Sequence, residues 1–336
     1  MRRVAINGLG RIGRMVLRHL MQTPHAEIVA LNDLADPALL AHLVRHDSAH
    51  GPATFTVAAE GAALVLGGRR IPLFSEPDPA RIPFGAAGAQ VVLECTGRFT
   101  RRAQAAAHLQ EGVSHVVISA ASEDADHTVV MGVNELTLDL ASARVISAAS
   151  GTSQGLAPLV KVLDDAFELE YGFATAVHSY TSDQRILDLP HGDLRRARAA
   201  AASMIPTPTS AIAALARVLP HLAGRLDGLA VRVPTPDVSL VDLTATLRSD
   251  VSLEALHQAF RAAAAEGPLA PYLDILPAEL VSVDLVGSPA SAIYDPFLSK
   301  VLGPRMVKVF AWYDNEWGYA ARLKDLCLHI LEHTEP

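Results

Sequence analysis

The stretch Val4-Ala5-Ile6-Asn7-Gly8-Leu9-Gly10-Arg11-Ile12-Gly13 decides how this chain is read. Three apolar residues running straight into a complete G-x-G-x-x-G predict a buried strand that turns into a helix. Each glycine has its own geometric duty. Gly8 makes the tight turn, Gly10 lets main chain approach a pyrophosphate, and Gly13 lets the helix pack on the strand. The helix that follows carries Ile12, Met15, Val16 and Leu20 on one face. Its N-terminus offers free N–H groups and the positive end of a dipole, which suit an anion.

Further along, Ile28-Val29-Ala30-Leu31 reads as a second strand ending at Asn32-Asp33. Asp33 stands twenty residues beyond Gly13, where this motif places the acid that hydrogen-bonds an adenosine ribose. Alone, a glycine-rich turn is a weak signal. Strand, motif, helix, second strand and acid in this order predict a Rossmann-type, doubly wound parallel α/β domain. A carboxylate at the ribose repels a 2′-phosphate, so the expected cofactor is NAD rather than NADP. Two later strand ends run into Thr96-Gly97 and Ser119-Ala120. Ligands of open α/β sheets sit beyond such carboxyl ends, although each end taken singly reads equally well as an ordinary turn. The expected cofactor contacts are Asn7, Gly8, Gly10, Arg11, Ile12, Gly13, Asp33, Thr96, Gly97 and Ser119.

The chain has 336 residues, half of them hydrophobic, which suits two domains with sizeable cores. A net charge of −8 argues against a protein held on nucleic acid by phosphate contacts. No apolar run reaches the roughly 18 residues of a membrane span. The strand at Val4 leaves no room for a secretory leader, so a cytoplasmic protein is expected. The two cysteines, Cys95 and Cys327, lie far apart and fit neither a disulfide framework nor a metal-ligand spacing.

In the second half, Ser147-Ala148-Ala149-Ser150-Gly151-Thr152-Ser153-Gln154 precedes an amphipathic helix marked by Leu156, Leu159, Val160, Leu163 and Phe167. One such hydroxyl is accounted for as a helix cap. Other long motifs are Met131-Gly132-Val133-Asn134-Glu135, His178-Ser179-Tyr180-Thr181 and Asp193-Leu194-Arg195-Arg196-Ala197-Arg198. Arg232-Val233-Pro234-Thr235-Pro236 and Trp312-Tyr313-Asp314-Asn315-Glu316-Trp317-Gly318-Tyr319 follow. With the N-terminal segment, these make nearly the whole chain resemble the phosphorylating, NAD-dependent glyceraldehyde-3-phosphate dehydrogenase family of bacterial type.

The resemblance implies residues 1–149 as the NAD domain, with a C-terminal helix over 317–336 packing back on it. Residues 150–316 are then an α+β catalytic domain with a mixed or antiparallel sheet. It implies His178 as general base and Asn315 as the residue that orients the nicotinamide carboxamide. Thr181, Arg196 and Arg232 become contacts for triose phosphate and inorganic phosphate, with Ser150, Thr152, Thr209 and Ser210 beside them. Of Arg195, Arg196 and Arg198, at least one is expected simply to face solvent. The resemblance also implies a homotetramer and a glycolytic reaction, with the loop from Ser179 to about Met204 reaching a neighbouring subunit's cofactor.

The departure falls at Gly151, where the family has its nucleophilic cysteine. Glycine cannot form the thiohemiacetal and thioester through which the family's reaction passes. Three readings stay open: a family oxidoreductase deprived of its phosphorylating step, a non-catalytic binder of NAD and triose phosphate, or a slow, phosphate-independent oxidant of the hydrated aldehyde. A serine nucleophile, Ser150 or Ser153, would need far more activation than a thiol. An introduced substitution would account for Gly151 alone. Ala148, Ser153, Gln154 and Ser210 also depart from the family, which leans toward natural divergence.

Overall fold

The computed structural model describes residues 2–334. It divides into two compact units. The first comprises 1–129, 135–149 and 320–336, and the second 130–134 and 150–319.

In the first unit the opening stretch folds as β1 (Arg2–Asn7), α1 (Arg11–Met21) and β2 (Ala26–Asn32). Then come α2 (Pro37–Arg45), the short strands β3 (Val57–Ala59), β4 (Ala63–Leu66) and β5 (Arg69–Phe74), and β6 (Val91–Glu94). The unit continues with α3 (Arg102–Ala105), β7 (His115–Ile118), β8 (His127–Thr128) and β9 (Val145–Ser147). The sheet runs β3-β4-β5-β2-β1-β6-β7-β9-β8. It is parallel from β5 through β8, and antiparallel only in the β3–β4–β5 meander. The central strands are apolar throughout because both faces are covered: Val4, Ala5, Ile6, Val91, Val92, Leu93, Val116 and Val117 are fully buried. From β1 the chain moves outward to β2 on one side and returns at β6 on the other, so the crevice for a ligand opens between β1 and β6.

The second unit is an α+β layer. It contains α4 (Gly151–Phe167), β10 (Leu169–Ser179), β11 (Ile205–Thr207), α5 (Ala211–Val218) and β12 (Leu226–Val233). It continues with β13 (Ser239–Leu247), α6 (Leu253–Ala265), β14 (Leu273–Ile275), β15 (Ala292–Tyr294), β16 (Lys300–Leu302) and β17 (Met306–Tyr313). The sheet order is β11-β12-β10-β13-β17-β15-β14, with β16 paired to β17. The sheet is mixed: β10/β12 and β14/β15 are parallel, and the remaining pairs antiparallel. The long strands alternate buried and less buried residues because α4 covers one face, flanked by α5 and α6. The other face carries exposed Tyr171, Phe173 and Leu229.

Helix α7 (Trp317–His333) begins in the second unit, and from Ala320 onward it belongs to the first, where Leu323, Leu326, Cys327 and Ile330 are buried. Residues 1, 335 and 336 of the expected domain lie outside the described residues. None of the described helices is long and apolar enough to cross a membrane.

Candidate functional site

The first unit holds a cleft of about 260 Å³ lined by Asn7, Gly8, Gly10, Asn32, Asp33, Leu34, Glu76, Pro77, Cys95, Thr96, Arg98 and Phe99. Gly8 has φ +90°, and a Cβ there would come 2.8 Å from the Thr96 nitrogen. Backbone conformation and close approach therefore both demand glycine. A Cβ at Gly13 would run into the Gly8 carbonyl oxygen, which is the helix–strand contact expected of the third glycine. Gly10 lines the cleft, and a Cβ there would meet open space. No side chain caps the N-terminus of α1, leaving its first-turn N–H groups for a ligand's anionic oxygens.

Asp33 is half-buried. Its Oδ2 accepts from Leu9 N at 2.7 Å and its Oδ1 from Ala35 N at 3.0 Å. These bonds hold the carboxylate on the wall of the cleft. Ile12 stands in the first turn of α1, with no part in the lining. The Arg11 guanidinium pairs with the buried carboxylate of Asp47. Gly97 turns out to solvent with φ +69°. Ser119 lies near enough to Cys95 to offset part of the rise that burial imposes on its thiol.

The second unit gathers a polar cluster at the start of α4. Ser150 caps the helix: its Oγ accepts from Ser153 N at 3.2 Å and lies 2.8 Å from Ser153 Oγ. Gly151 is the first residue of α4, and Thr152 Oγ1 sits 3.0 Å from Tyr313 OH. His178, near the end of β10, is paired in register with Arg232 on the parallel neighbour β12. The edge of its ring meets Tyr313 at 6.2 Å between centroids. His178 Nδ1 lies 2.7 Å from Ser179 O and 2.7 Å from Arg232 Nη1. The carbonyl asks Nδ1 to donate and the guanidinium asks it to accept, so the two contacts favour opposite tautomers. Donation to the carbonyl leaves Nε2, which has no protein partner among the described residues, as the bare base. Burial, with Arg232 adding to it, pushes the imidazole down to about 3.

Arg232 Nη1 also donates to Ser179 O at 3.1 Å, while its buried Nε has no partner among the described residues. Such an orphaned donor is what an anion site leaves when only protein is present. Arg196 is differently placed. Asp183 pairs with its Nη1, Asp193 lies at 3.6 Å, and its Nε donates to Thr207 at 2.8 Å. Thr181 lines a separate hollow with Tyr180, Gln184 and Ile186. At the start of α5, Thr209 Oγ1 accepts from Ala211 N, and Ser210 is exposed. Among the described residues neither is bonded to the His178 cluster. Asn315 Oδ1 accepts from Ser179 Oγ at 2.8 Å and from Ser239 Oγ at 2.7 Å, which fixes the amide so that its nitrogen is the free end. Ser179 and Ser239 belong to the site through these bonds, which no motif announces. Only the position of Ser179 directly after His178 could have drawn attention to one of them.

Residues 2–102 match the family model for the NAD binding domain of glyceraldehyde 3-phosphate dehydrogenase, and residues 150–315 match that for its C-terminal domain. The chain belongs to the glyceraldehyde-3-phosphate dehydrogenase family. It is 49% identical to the glyceraldehyde-3-phosphate dehydrogenase of Priestia megaterium (strain DSM 319 / IMG 1521) and 50% identical to that of Geobacillus stearothermophilus. It is 49% identical to glyceraldehyde-3-phosphate dehydrogenase 1 of Bacillus subtilis (strain 168). Each comparison spans 328 residues, 98% of this chain and 98% of the relative. This glyceraldehyde-3-phosphate dehydrogenase family member is thus of an NAD-dependent oxidoreductase type. The residues of its first-unit cleft fit the cofactor: a glycine cradle, an uncapped helix N-terminus and a fixed carboxylate at the far wall.

Proposed function

We propose that this chain binds NAD and a triose phosphate aldehyde, and that with glycine at position 151 it lacks the phosphorylating half of the family's reaction. The observation that carries this reading is the first turn of α4, which holds no thiol. The Ser150 and Ser153 hydroxyls there are bonded to one another, and Ser150 also serves the helix end. Among the described residues neither hydroxyl is bonded to a base that could deprotonate it. Burial pushes the Cys95 thiol up to about 12 and raises that of Cys327 as well, so neither supplies a thiolate at neutral pH. Without an acyl-enzyme, phosphate has no activated carbonyl to attack.

The remaining residues keep their parts. Arg232, with its orphaned Nε, anchors the substrate's phosphate. Thr181, Arg196, Thr209 and Ser210, with Ser150 and Thr152, are the further anion contacts, and Asn315 is the carboxamide contact of the cofactor. Bound NAD supplies the hydride acceptor. The free Nε2 of His178 favours a second reading. There, a hydrated aldehyde loses the hydrogen on its carbonyl carbon as hydride and a hydroxyl proton to Nε2, which yields a carboxylic acid. A base whose conjugate acid lies at about 3 is weak, so this oxidation is slow.

NADH formation from glyceraldehyde 3-phosphate, with and without inorganic phosphate, tests both. The expected result is no phosphate-dependent rate. A slow phosphate-independent rate that disappears in His178→Asn supports the diol reading, and NAD binding without any NADH leaves a binding protein. Robust phosphate-dependent turnover overturns the proposal.

The same reading makes the chain a cytoplasmic homotetramer working in sugar breakdown. Tyr171, Phe173 and Leu229 on the open sheet face support association with further copies, as do exposed Ile186, Leu187, Leu194 and Met204 in the 179–204 loop. Sedimentation equilibrium at four times the chain mass is the expected result.

A further inference from the structure

We infer that Glu94 is a positioning residue of the cofactor cleft, a buried carboxylate that holds the turn at Thr96 against the turn at Gly8. The inference rests on the reading of that cleft as the NAD site. Asn32, Asn7 and Glu94 are the last residues of β2, β1 and β6, and the register sets them side by side. All three are buried, as is His108, which is wholly inaccessible. Glu94 Oε2 accepts from Asn7 Nδ2 at 2.6 Å and faces His108 Nε2 at 3.0 Å. Oε1 accepts from Thr96 N at 2.8 Å and also from the Thr96 hydroxyl. Among the described residues His108 Nδ1 has no partner, so a proton on Nε2, directed at Glu94 Oε2, leaves no ring N–H unpaired.

From there the row extends outward. Asn7 Oδ1 accepts from Asn32 Nδ2 at 2.8 Å, and Asn32 Oδ1 accepts from Glu76 N at 3.0 Å. Four residues of the cleft wall, Asn7, Asn32, Glu76 and Thr96, therefore hang on one chain of bonds. A carboxylate accepts at every lone pair, so it forces each neighbour to donate and fixes the direction of the whole row. Its position matters because Gly8 and Thr96 touch: the space for a Cβ on Gly8 is closed by Thr96 main chain. A displacement of a few tenths of an ångström at Thr96 alters the turn that receives the pyrophosphate, and such supporting contacts set binding geometry.

The test is the dissociation constant for NAD, measured by calorimetry well below the unfolding temperature. Glu94→Gln puts an NH2 against donors and should raise the constant at least about tenfold, the equivalent of one hydrogen bond. Adding Asn7→Asp returns an acceptor to that contact and should restore most of the affinity. A merely structural role would lower the melting temperature and leave the constant of the folded protein unchanged, and that result overturns the inference. Gly8→Ala separates the two claims. If it binds NAD as the parent does, the cleft is not the NAD site and both fail. If it loses NAD while Glu94→Gln keeps it, the positioning role alone fails. Should Glu94→Gln not fold, His108→Gln retains a donor to Oε2 and should keep NAD affinity where His108→Leu loses it. Equal affinities in those two variants overturn the inference.

Discussion

Arg232 Nη1 lies 2.7 Å from His178 Nδ1, and the parallel register of β10 and β12 places the two residues directly beside one another. A fixed cation next to a buried imidazole keeps that imidazole neutral. With burial and that cation both opposing its charge, the imidazole stays unprotonated throughout the physiological range.

That state has a measurable sign. The folded pKa of His178 is depressed from 6.5 to about 3, so between these values the unfolded chain binds the extra proton. The associated stability is present above about pH 6.5 and is lost as pH falls toward about 3, by up to about 1.4 kcal/mol per pH unit. His178→Gln should flatten the acid side of the stability curve by that slope. Urea unfolding at several pH values between about 4 and 6.5 checks it; parallel curves for the two proteins would refute it.

Arg232→Ala should act on two observables at once. Binding of a triose phosphate should weaken by about 1.5–3 kcal/mol, the range for hydrogen bonds to charged groups. The His178 pKa should move up, because its second-largest depressing influence is gone while burial remains. Calorimetry measures the first effect and imidazole proton shifts in NMR the second. A change in affinity with an unmoved histidine would place the charge of Arg232 farther from the ring than the 2.7 Å contact implies.

Gly151→Cys should fold without strain. A Cβ there meets Asn315 O at 3.4 Å and Asn315 carbons at 3.7 Å, which are ordinary contacts. The new thiol would stand at the N-terminus of α4, where the helix dipole stabilises a thiolate. It should react with iodoacetamide at neutral pH while Cys95 and Cys327 remain inert. Phosphate-dependent NADH formation should appear with it. Partial recovery would locate the remaining defect in Ala148, Ser153 or Gln154.

Asp33→Ala should narrow the preference for NAD over NADP. The carboxylate repels a 2′-phosphate, and its bond to Leu9 N also steadies the glycine turn. NAD binding should therefore weaken while NADP binding improves in relative terms. Titration of both cofactors decides it, and an unchanged ratio would mean that Asp33 does not face the ribose.

The sequence by itself determined the local frame of this protein. Strand, glycine turn, helix and second strand from Val4 to Asp33 follow from apolar runs and from glycines that only particular backbone geometries require, all within some thirty residues. The amphipathic α4 was equally legible, because a 3.6-residue period writes itself into the residues it buries. What tertiary structure decided are the pairings between residues far apart in the chain. Arg11 reads as a cofactor contact from its motif, and Asp47 takes its guanidinium. Arg196 reads as a phosphate contact from its motif, and the fold also pairs it with Asp183 and sets Asp193 beside it. Asn315 is aimed by two serines, 136 and 76 residues away. Glu94 reads as an ordinary strand end, and no motif marks His108, until the fold brings four donors to one carboxylate. Periodicity encodes which face of an element is buried. It carries no record of which polar group will meet which across the core, because that depends on strand order and register.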